Sequence, residues 1–554
     1  MKALVFGEIY PFRIQALLVE YQEGEPILGM FVQIKNGDKL IIGKVVNFHR
    51  TSDIVKEHVQ TKHINQNKNS IIVQTIVNDM EGIILDIDLI TAFQNGERVP
   101  LNFPLTLLSE VHFLKDLPVE LPPYTGYLGY LHGTEIKSPL ILEDFQTMKE
   151  AYHFFVAGRS GTGKSTLTQK LLALYNKNNP NMNFLILDTV GEFTASFEGK
   201  GDLFLHLKDI WKGEVEIYIP PENLALEGWD MFKEICLEYK VMKELDIPAK
   251  SEENTSNGIN AIINLLRGKE EDRSTRHITP NIVESVLKQL AISDEIVDWF
   301  VKKVYSSSNE SRDRVRNAIK NPIAFKSFVE KIKEVAELFC TVNTKKRTIQ
   351  EVVKDFSEAA IKGKVGKCVV LNFTLYKTVG HSKNLRTKYV RETLRALYSE
   401  GIKLYNQRGN INLNTLTILE EAHNYVPKYA DNEELKNLSD EIVTYSRETR
   451  KFGIGWLYIT IRPSDVRREI FENTMVRLIG PGLTSGPDAE LLRETFGSEF
   501  LNLYRLLPNP NDKLSPSKKV NFVVSGPITL LSIDKPEFIT VFNNKDEFLK
   551  SNGF

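Results

Sequence analysis

Over the first 115 or so residues, apolar positions come in short runs broken by turn-forming and polar residues. The runs at 12–19, 28–34 and 40–48 are rich in β-branched and aromatic side chains. Gly24, Gly37-Asp38 and the polar stretch 60–69 separate them, and further runs lie at 70–77 and 82–90. Short strands at such spacing predict a small barrel or sandwich, so 1–115 is expected to be an N-terminal β-barrel. Pro118, Pro122 and Pro123 punctuate a linker expected over 116–150. From His153 the pattern changes to buried-strand runs alternating with helical spacing, at 153–157, 183–188, 368–373, 415–419 and 455–461. Between 226 and 345 the spacing is helical, as at 283–292, 294–304 and 327–339. This block predicts a helical bundle inserted into an α/β core formed by 151–225 and 346–510. Residues 511–554 are expected to be C-terminal strands and a tail.

Composition excludes several classes. With 554 residues, 42% apolar and 26% charged, the chain reads as two to four ordinary globular domains. Its 70 basic and 72 acidic residues leave a net charge of −2. Any nucleic-acid contact must therefore come from a local basic surface. The three cysteines, Cys236, Cys340 and Cys368, are too widely spaced for a CxxC pair, which fits a reducing cytoplasm. The N-terminus does not read as a signal peptide. No stretch approaches the ~20 apolar residues that span a bilayer, so no membrane association is expected.

Gly158-Arg159-Ser160-Gly161-Thr162-Gly163-Lys164-Ser165 fits G-x-x-x-x-G-K-[ST] at every position. Gly161 and Gly163 let successive N–H groups turn inward toward phosphate oxygens. Lys164 supplies a cation for the β- and γ-phosphates, and the Ser165 hydroxyl can ligate Mg²⁺. The apolar run 153–157 before the loop and the helical spacing of Leu167, Leu171, Leu172 and Leu174 after it place the phosphates at a helix N-terminus. Gly158, Ser160, Gly161, Thr162, Gly163, Lys164, Ser165 and Thr166 are thus the candidate ATP-binding residues, joined by Asp188 at the end of the second strand run.

Such a site needs a distant acid to hold Mg²⁺ through water and a base for the attacking water. Glu420-Glu421-Ala422-His423 follows the run 415–419, at the strand end where ligands sit in open parallel sheets. Glu420 is the magnesium-side candidate and Glu421 the base. The bland alternative is a pair of solvated acids at a helix start; His423 reads as a structural hydrogen-bonder. The basic cluster 446–453 offers Arg447 and Arg450 as arginines for the γ-phosphate, with a dipole-complementing helix end as the alternative.

Taken together, five motifs resemble the HerA-type ATPases of the FtsK–HerA branch of P-loop proteins. They are His153 through Ser165, Asp188-Thr189-Val190-Gly191-Glu192-Phe193, Glu420-Glu421-Ala422-His423-Asn424-Tyr425-Val426-Pro427, Arg447-Glu448-Thr449-Arg450-Lys451-Phe452-Gly453-Ile454-Gly455 and Thr460-Ile461-Arg462-Pro463-Ser464. The resemblance implies a RecA/FtsK-like core with a small barrel before it. It also implies a homo-hexameric ring binding ATP and Mg²⁺ between subunits, with Arg447 or Arg450 acting across the interface and double-stranded DNA in the pore. A partner nuclease of the NurA type, in end processing or anti-phage defence, belongs to the same expectation. Lys383, Arg386 and Lys388, in the segment 376–388, are candidates for a basic pore loop, with a solvated loop and helix start as the bland reading. Where the family carries glutamine in its last motif, this chain has Ile461, which leaves Thr460 and Arg462 as sensor candidates. That departure keeps a second function in view, an ATP-binding scaffold that activates a nuclease or NAD-consuming effector with little translocation. A conjugation or secretion motor is the third.

Overall fold

The computed structural model describes residues 2–10, 12–20, 27–51, 82–117, 119–248, 251–268, 274–374, 383–409, 411–508, 520–531 and 535–554. The strand expected at 70–77, the polar stretch 60–69 and the segment 376–382 of the basic loop lie outside these residues.

Seven N-terminal strands are Lys2–Tyr10 (β1), Arg13–Glu20 (β2), Phe31–Asn36 (β3), Lys39–Thr51 (β4), Gly82–Gln94 (β5), Glu97–Val99 (β6) and Glu110–Phe113 (β7). Antiparallel pairing in the order β2-β1-β7-β3-β4-β5, with β5 returning to β2, closes six of them into a barrel. The inward positions of the alternating pattern, among them Val5, Ile14, Ala16, Ile34, Ile41, Val45 and Ile87, are completely buried and fill it. Hairpin β5–β6 turns on Asn95 (φ 53°) and Gly96 (φ 83°), the residue pair suited to a two-residue turn with both φ positive.

Thirteen more strands follow: Thr125–Leu131 (β8), Lys137–Ile141 (β9), Phe154–Ala157 (β10), Asn183–Asp188 (β11), Val215–Tyr218 (β12), Leu224–Ala225 (β13), Arg347–Thr348 (β14), Cys368–Asn372 (β15), Thr415–Leu419 (β16), Ile454–Thr460 (β17), Val476–Ile479 (β18), Asn521–Ser525 (β19) and Glu537–Val541 (β20). Eleven of them form one sheet in the order β12-β15-β11-β16-β17-β10-β18-β19-β20-β8-β9. It is parallel from β12 to β18 and antiparallel beyond. Every residue of β10, β11, β15, β16 and β17 is buried, as expected for parallel strands covered on both faces. Alternate side chains of β10 serve separate cores. Phe154 and Val156 pack with Leu167, Leu171 and Leu174 of helix Lys164–Asn178, while Phe155 and Ala157 face the layer that contains the helical insertion.

Residues 116–150, expected as a linker, carry β8 and β9 and extend the main sheet through β20 from the far end of the chain. Local pattern could not show a pairing between partners some 400 residues apart, such as Tyr130 and Thr540. The insertion expected over 226–345 enters and leaves through the short parallel pair β13–β14, so its two ends lie side by side. Four of its helices begin at side-chain caps on Thr279, Ser293, Ser308 and Asn321, with Pro280 and Pro322 in the first turn of two of them.

Candidate active site

The loop after β10 curls because Gly161 (φ 76°) and Gly163 (φ 81°) take left-handed backbone conformations. Gly163 caps helix Lys164–Asn178 without any side-chain hydrogen bond, so the first-turn amides, which have no intrahelical acceptor, face the concavity of the loop. An uncapped helix end with a glycine collar suits a chain of phosphates. At Gly158 there is no room for a side chain: a Cβ would lie 2.8 Å from Thr162 Oγ1 and 3.2 Å from Gly480 Cα. The Thr162 hydroxyl (2.7 Å) and Lys164 Nζ (3.3 Å) both donate to the Arg159 carbonyl. Burial lowers the Lys164 ammonium pKa, and the negative charges of Glu421 and Glu192 oppose that fall. Ser160 is exposed, and Ser165 and Thr166 are partly exposed at the mouth of the loop.

Strand order brings the acids to the same edge. β17 lies between β10 and β16, and β11 follows, so β10, β17, β16 and β11 all end beside one another. Glu420 is 2% exposed and its carboxylate accepts the amides of Thr189 (3.0 Å) and Val190 (2.9 Å). Burial, and then the neighbouring Asp188, push its pKa well above the carboxylate range. Asp188 stands among the nucleotide-binding residues expected from sequence, but its carboxylate is wholly buried and turned inward. It accepts from Gly191 N (2.6 Å), Thr194 N (2.7 Å) and Thr194 Oγ1 (2.6 Å), which holds the start of helix Glu192–Glu198. Its reach to the site runs through Glu420.

Glu421 has φ 52°, a left-handed conformation unusual for a residue with a side chain. Such strain persists only where surroundings impose it, and it gathers at functional sites. Glu421 Oε2 is buried and, among the described residues, accepts no hydrogen bond; His423 Nδ1 lies 3.3 Å away. A carboxylate oxygen with spare acceptor capacity, close enough to Lys164 to act on its charge, is what a water-orienting base requires.

Thr460 ends β17 in register with Ala157, at the root of the P-loop. Its hydroxyl donates to the Arg462 carbonyl (3.3 Å), and Arg462 Nε is held by the buried Asp488 at 2.9 Å. Arg447 and Arg450 precede β17, at the opposite edge of the sheet. Arg447 is exposed, and Arg450 pairs with Glu150 at 2.7 Å. The seven residues of β17 put about 20 Å between them and this chain's own P-loop. Lys388, a pore-loop candidate by sequence, is instead 3% exposed, with Glu234 and Glu434 each 3.5 Å away. It anchors helix Lys383–Arg408 to the insertion. Arg386 stands 5.8 Å from the ring of Tyr425.

Several contributors carried no sequence signal of their own role. His153 is completely buried, accepting from Trp456 N on Nδ1 (3.3 Å) and donating from Nε2 to the Ser446 carbonyl (2.7 Å), with its pKa pulled down to about 4 by burial. It ties the P-loop strand to β17 and to helix Glu433–Glu448. Thr194, which directly follows the 188–193 motif, is another, and Asp488 and the Gly480–Leu483 loop come from elements remote from the motif they serve.

A family model described as Helicase HerA, central domain, matches residues 127–377. That segment contains the P-loop and the Asp188 turn whose geometry has just been given. Over residues 127–377 the chain carries a HerA-type central domain. Among solved structures it is similar to VirB4 of Thermoanaerobacter pseudethanolicus at 11% identity and a TM-score of 0.38, over 76% of this chain and 97% of that one. It is also similar to the genome packaging NTPase B204 from Sulfolobus turreted icosahedral virus 2 in complex with ATP-gammaS, at 9% identity and a TM-score of 0.28 over 71% and 98%. The pCW3 conjugation coupling protein TcpA, in its monomer form with ATPgS, matches at 13% and 0.28 over 95% and 93%. No curated protein sequence matches. The HerA-type match ends at 377, so the acids at 420–421 and the arginines at 447 and 450 are placed by the structure of this chain alone.

Proposed function

We propose that this HerA-type ATPase works as a ring of six copies that hydrolyses Mg²⁺-ATP between subunits and drives double-stranded DNA through its pore toward a partner nuclease. One observation carries the reading: the polarity of β17. Its C-terminal end adjoins the P-loop and the acids, while Arg447 and Arg450 sit about 20 Å away at its N-terminal end. An arginine so placed can meet only a neighbour's γ-phosphate, which makes a multi-subunit ring the simplest way to complete the site. In that ring Ser165 and, through water, Glu420 hold the metal. A bound Mg²⁺ would offset the charge of the phosphates, while Glu421 orients the attacking water and Lys164 holds the terminal phosphates.

The test is ATP turnover with and without linear duplex DNA. Stimulation that disappears in both Lys164→Ala and Glu421→Gln supports the motor. Activation of a partner nuclease that survives both substitutions would instead support the ATP-binding scaffold. That second reading rests on Ile461, which offers no hydrogen bond where a polar sensor is expected, while Thr460 is already bonded to the Arg462 carbonyl. A membrane-anchored secretion or conjugation motor has less in its favour, since no helix among the described residues is long and apolar enough to cross a membrane.

A further inference from the structure

Helix Ser498–Arg505 lies between the N-terminal barrel and the nucleotide site and touches both. At its start Glu499 receives both terminal nitrogens of Arg13 from the barrel, and Arg13 Nε is fixed in turn by Asp88 of β5 at 2.7 Å. At its end the Tyr504 hydroxyl donates to the Gly480 carbonyl and accepts from Leu483 N at 3.1 Å. Gly480 N itself donates to the Ala157 carbonyl (2.7 Å), at the entry to the P-loop. Between them Gly482 meets the next turn of that loop, since a Cβ there would fall 3.0 Å from Arg159 Cδ. An aromatic stack runs parallel to this path. Tyr504 stacks on Phe500 (5.8 Å) and Phe500 packs on Phe538 (5.6 Å); Lys44 of the barrel places its Nζ 3.6 Å over the Phe538 ring. Every step is a direct contact, and the interior end is a buried tyrosine whose hydroxyl is satisfied wholly by one backbone loop.

We infer that Tyr504 is a positioning residue of the nucleotide site: its hydroxyl fixes the Gly480–Leu483 loop against the P-loop, and helix Ser498–Arg505 makes that loop answer to the N-terminal barrel. A load taken up by the barrel thus reaches the wall of the nucleotide site through one helix. The inference rests on the reading of 158–165 as an ATP site and adds a line of control over it.

The experiment measures binding of a fluorescent ATP analogue to the full-length protein in wild type, Tyr504→Phe, Arg13→Ala and the double variant, with Lys164→Ala as the reference for lost binding. Tyr504→Phe keeps the ring stack and removes two hydrogen bonds, and is expected to weaken affinity about tenfold. Arg13→Ala is expected to weaken it about threefold, and to add nothing once Tyr504 is already phenylalanine. Hydrogen exchange over 480–486 should quicken in both single variants, and Glu499→Gln, at the outer end of the helix, repeats that readout should Tyr504→Phe not fold. Wild-type affinity in Tyr504→Phe, or an Arg13→Ala effect that is undiminished in the double variant, overturns the inference. Absence of any Lys164-dependent binding in wild type would overturn the ATP-site reading itself, and is told apart because it needs no variant of Tyr504 or Arg13.

Discussion

His153 gives the sharpest prediction, because one buried ring both joins three elements and resists protonation. Its Nδ1 accepts the Trp456 amide, so an added proton there would meet an N–H donor in a site without solvent. Its pKa falls from 6.5 to about 4 on folding. The sign follows from linkage. Below about pH 6.5 the unfolded chain takes up a proton at His153 that the folded chain refuses, so acid favours unfolding. The stability is complete above that pH and drains away as pH falls toward 4. At about 1.36 kcal/mol per pH unit the full effect is ~3 kcal/mol, and ~2 kcal/mol of it is expressed between pH 7.5 and 5.0. The perturbation is His153→Gln, whose amide can still accept and donate but cannot titrate. Urea unfolding of both proteins across that range should show the variant weaker at pH 7.5 by roughly 1–2 kcal/mol for imperfect hydrogen bonds. The gap should close at pH 5.0, because wild type alone loses the extra ~2 kcal/mol. Parallel pH curves for the two proteins would refute the argument.

The remaining predictions concern the nucleotide. Lys164→Ala should weaken ATP affinity roughly 10–100-fold, as for loss of a charge-assisted hydrogen bond, while leaving the thermal midpoint without nucleotide unchanged; calorimetric titration checks the first and a thermal melt the second. Glu421→Gln should keep ATP affinity and lower turnover by about 10²–10⁴-fold; an equal loss in both would place Glu421 in binding rather than chemistry. Arg447→Ala rings should be inactive, but mixing them with Lys164→Ala subunits should restore some turnover, since some interfaces then pair an intact arginine with an intact P-loop; no recovery would remove the shared site. Ile461→Gln should raise kcat about tenfold at unchanged KM, as expected for one new polar contact made in the transition state, and an unchanged kcat would show that the isoleucine is no brake.

What could be read from sequence was what is local. The P-loop needs eight consecutive residues, and the strand and helix on either side announce themselves by apolar spacing, so Gly158 to Thr166 stand where the motif puts them. The position of Glu420 and Glu421 at a strand end was legible for the same reason, since they follow a five-residue apolar run. Partners supplied by remote chain were not legible. β8 lies where a linker was expected, and only the folded sheet reveals that β20 pairs with it. Lys388 shows the limit of reading charge from sequence. A basic residue near a loop suggests a nucleic-acid surface, but three glutamates from two other helices enclose its ammonium and turn it into an interior fastening. Tyr504 looks like any aromatic on an amphipathic helix, and its role appears only where its hydroxyl meets Gly480 and Leu483.

Asp188 shows how the two kinds of information combine. In sequence it is an acid after a strand, close to a P-loop, and so a natural ligand candidate. In the fold its oxygens are occupied by Gly191 and Thr194, and its negative charge faces Glu420 from within the protein. An interior carboxylate beside a second carboxylate raises the cost of ionising the latter unless a cation arrives to offset it. In the proposed site a bound Mg²⁺ would favour the charged form of Glu420, which burial and Asp188 disfavour, and the Thr189 and Val190 amides hold its carboxylate in place. On the proposed reading, a buried acid whose oxygens are already occupied by the protein would in this way make the acid beside it answer to a bound cation. Thr194, which donates twice to Asp188, is then as much a part of the site as the glutamate it never meets.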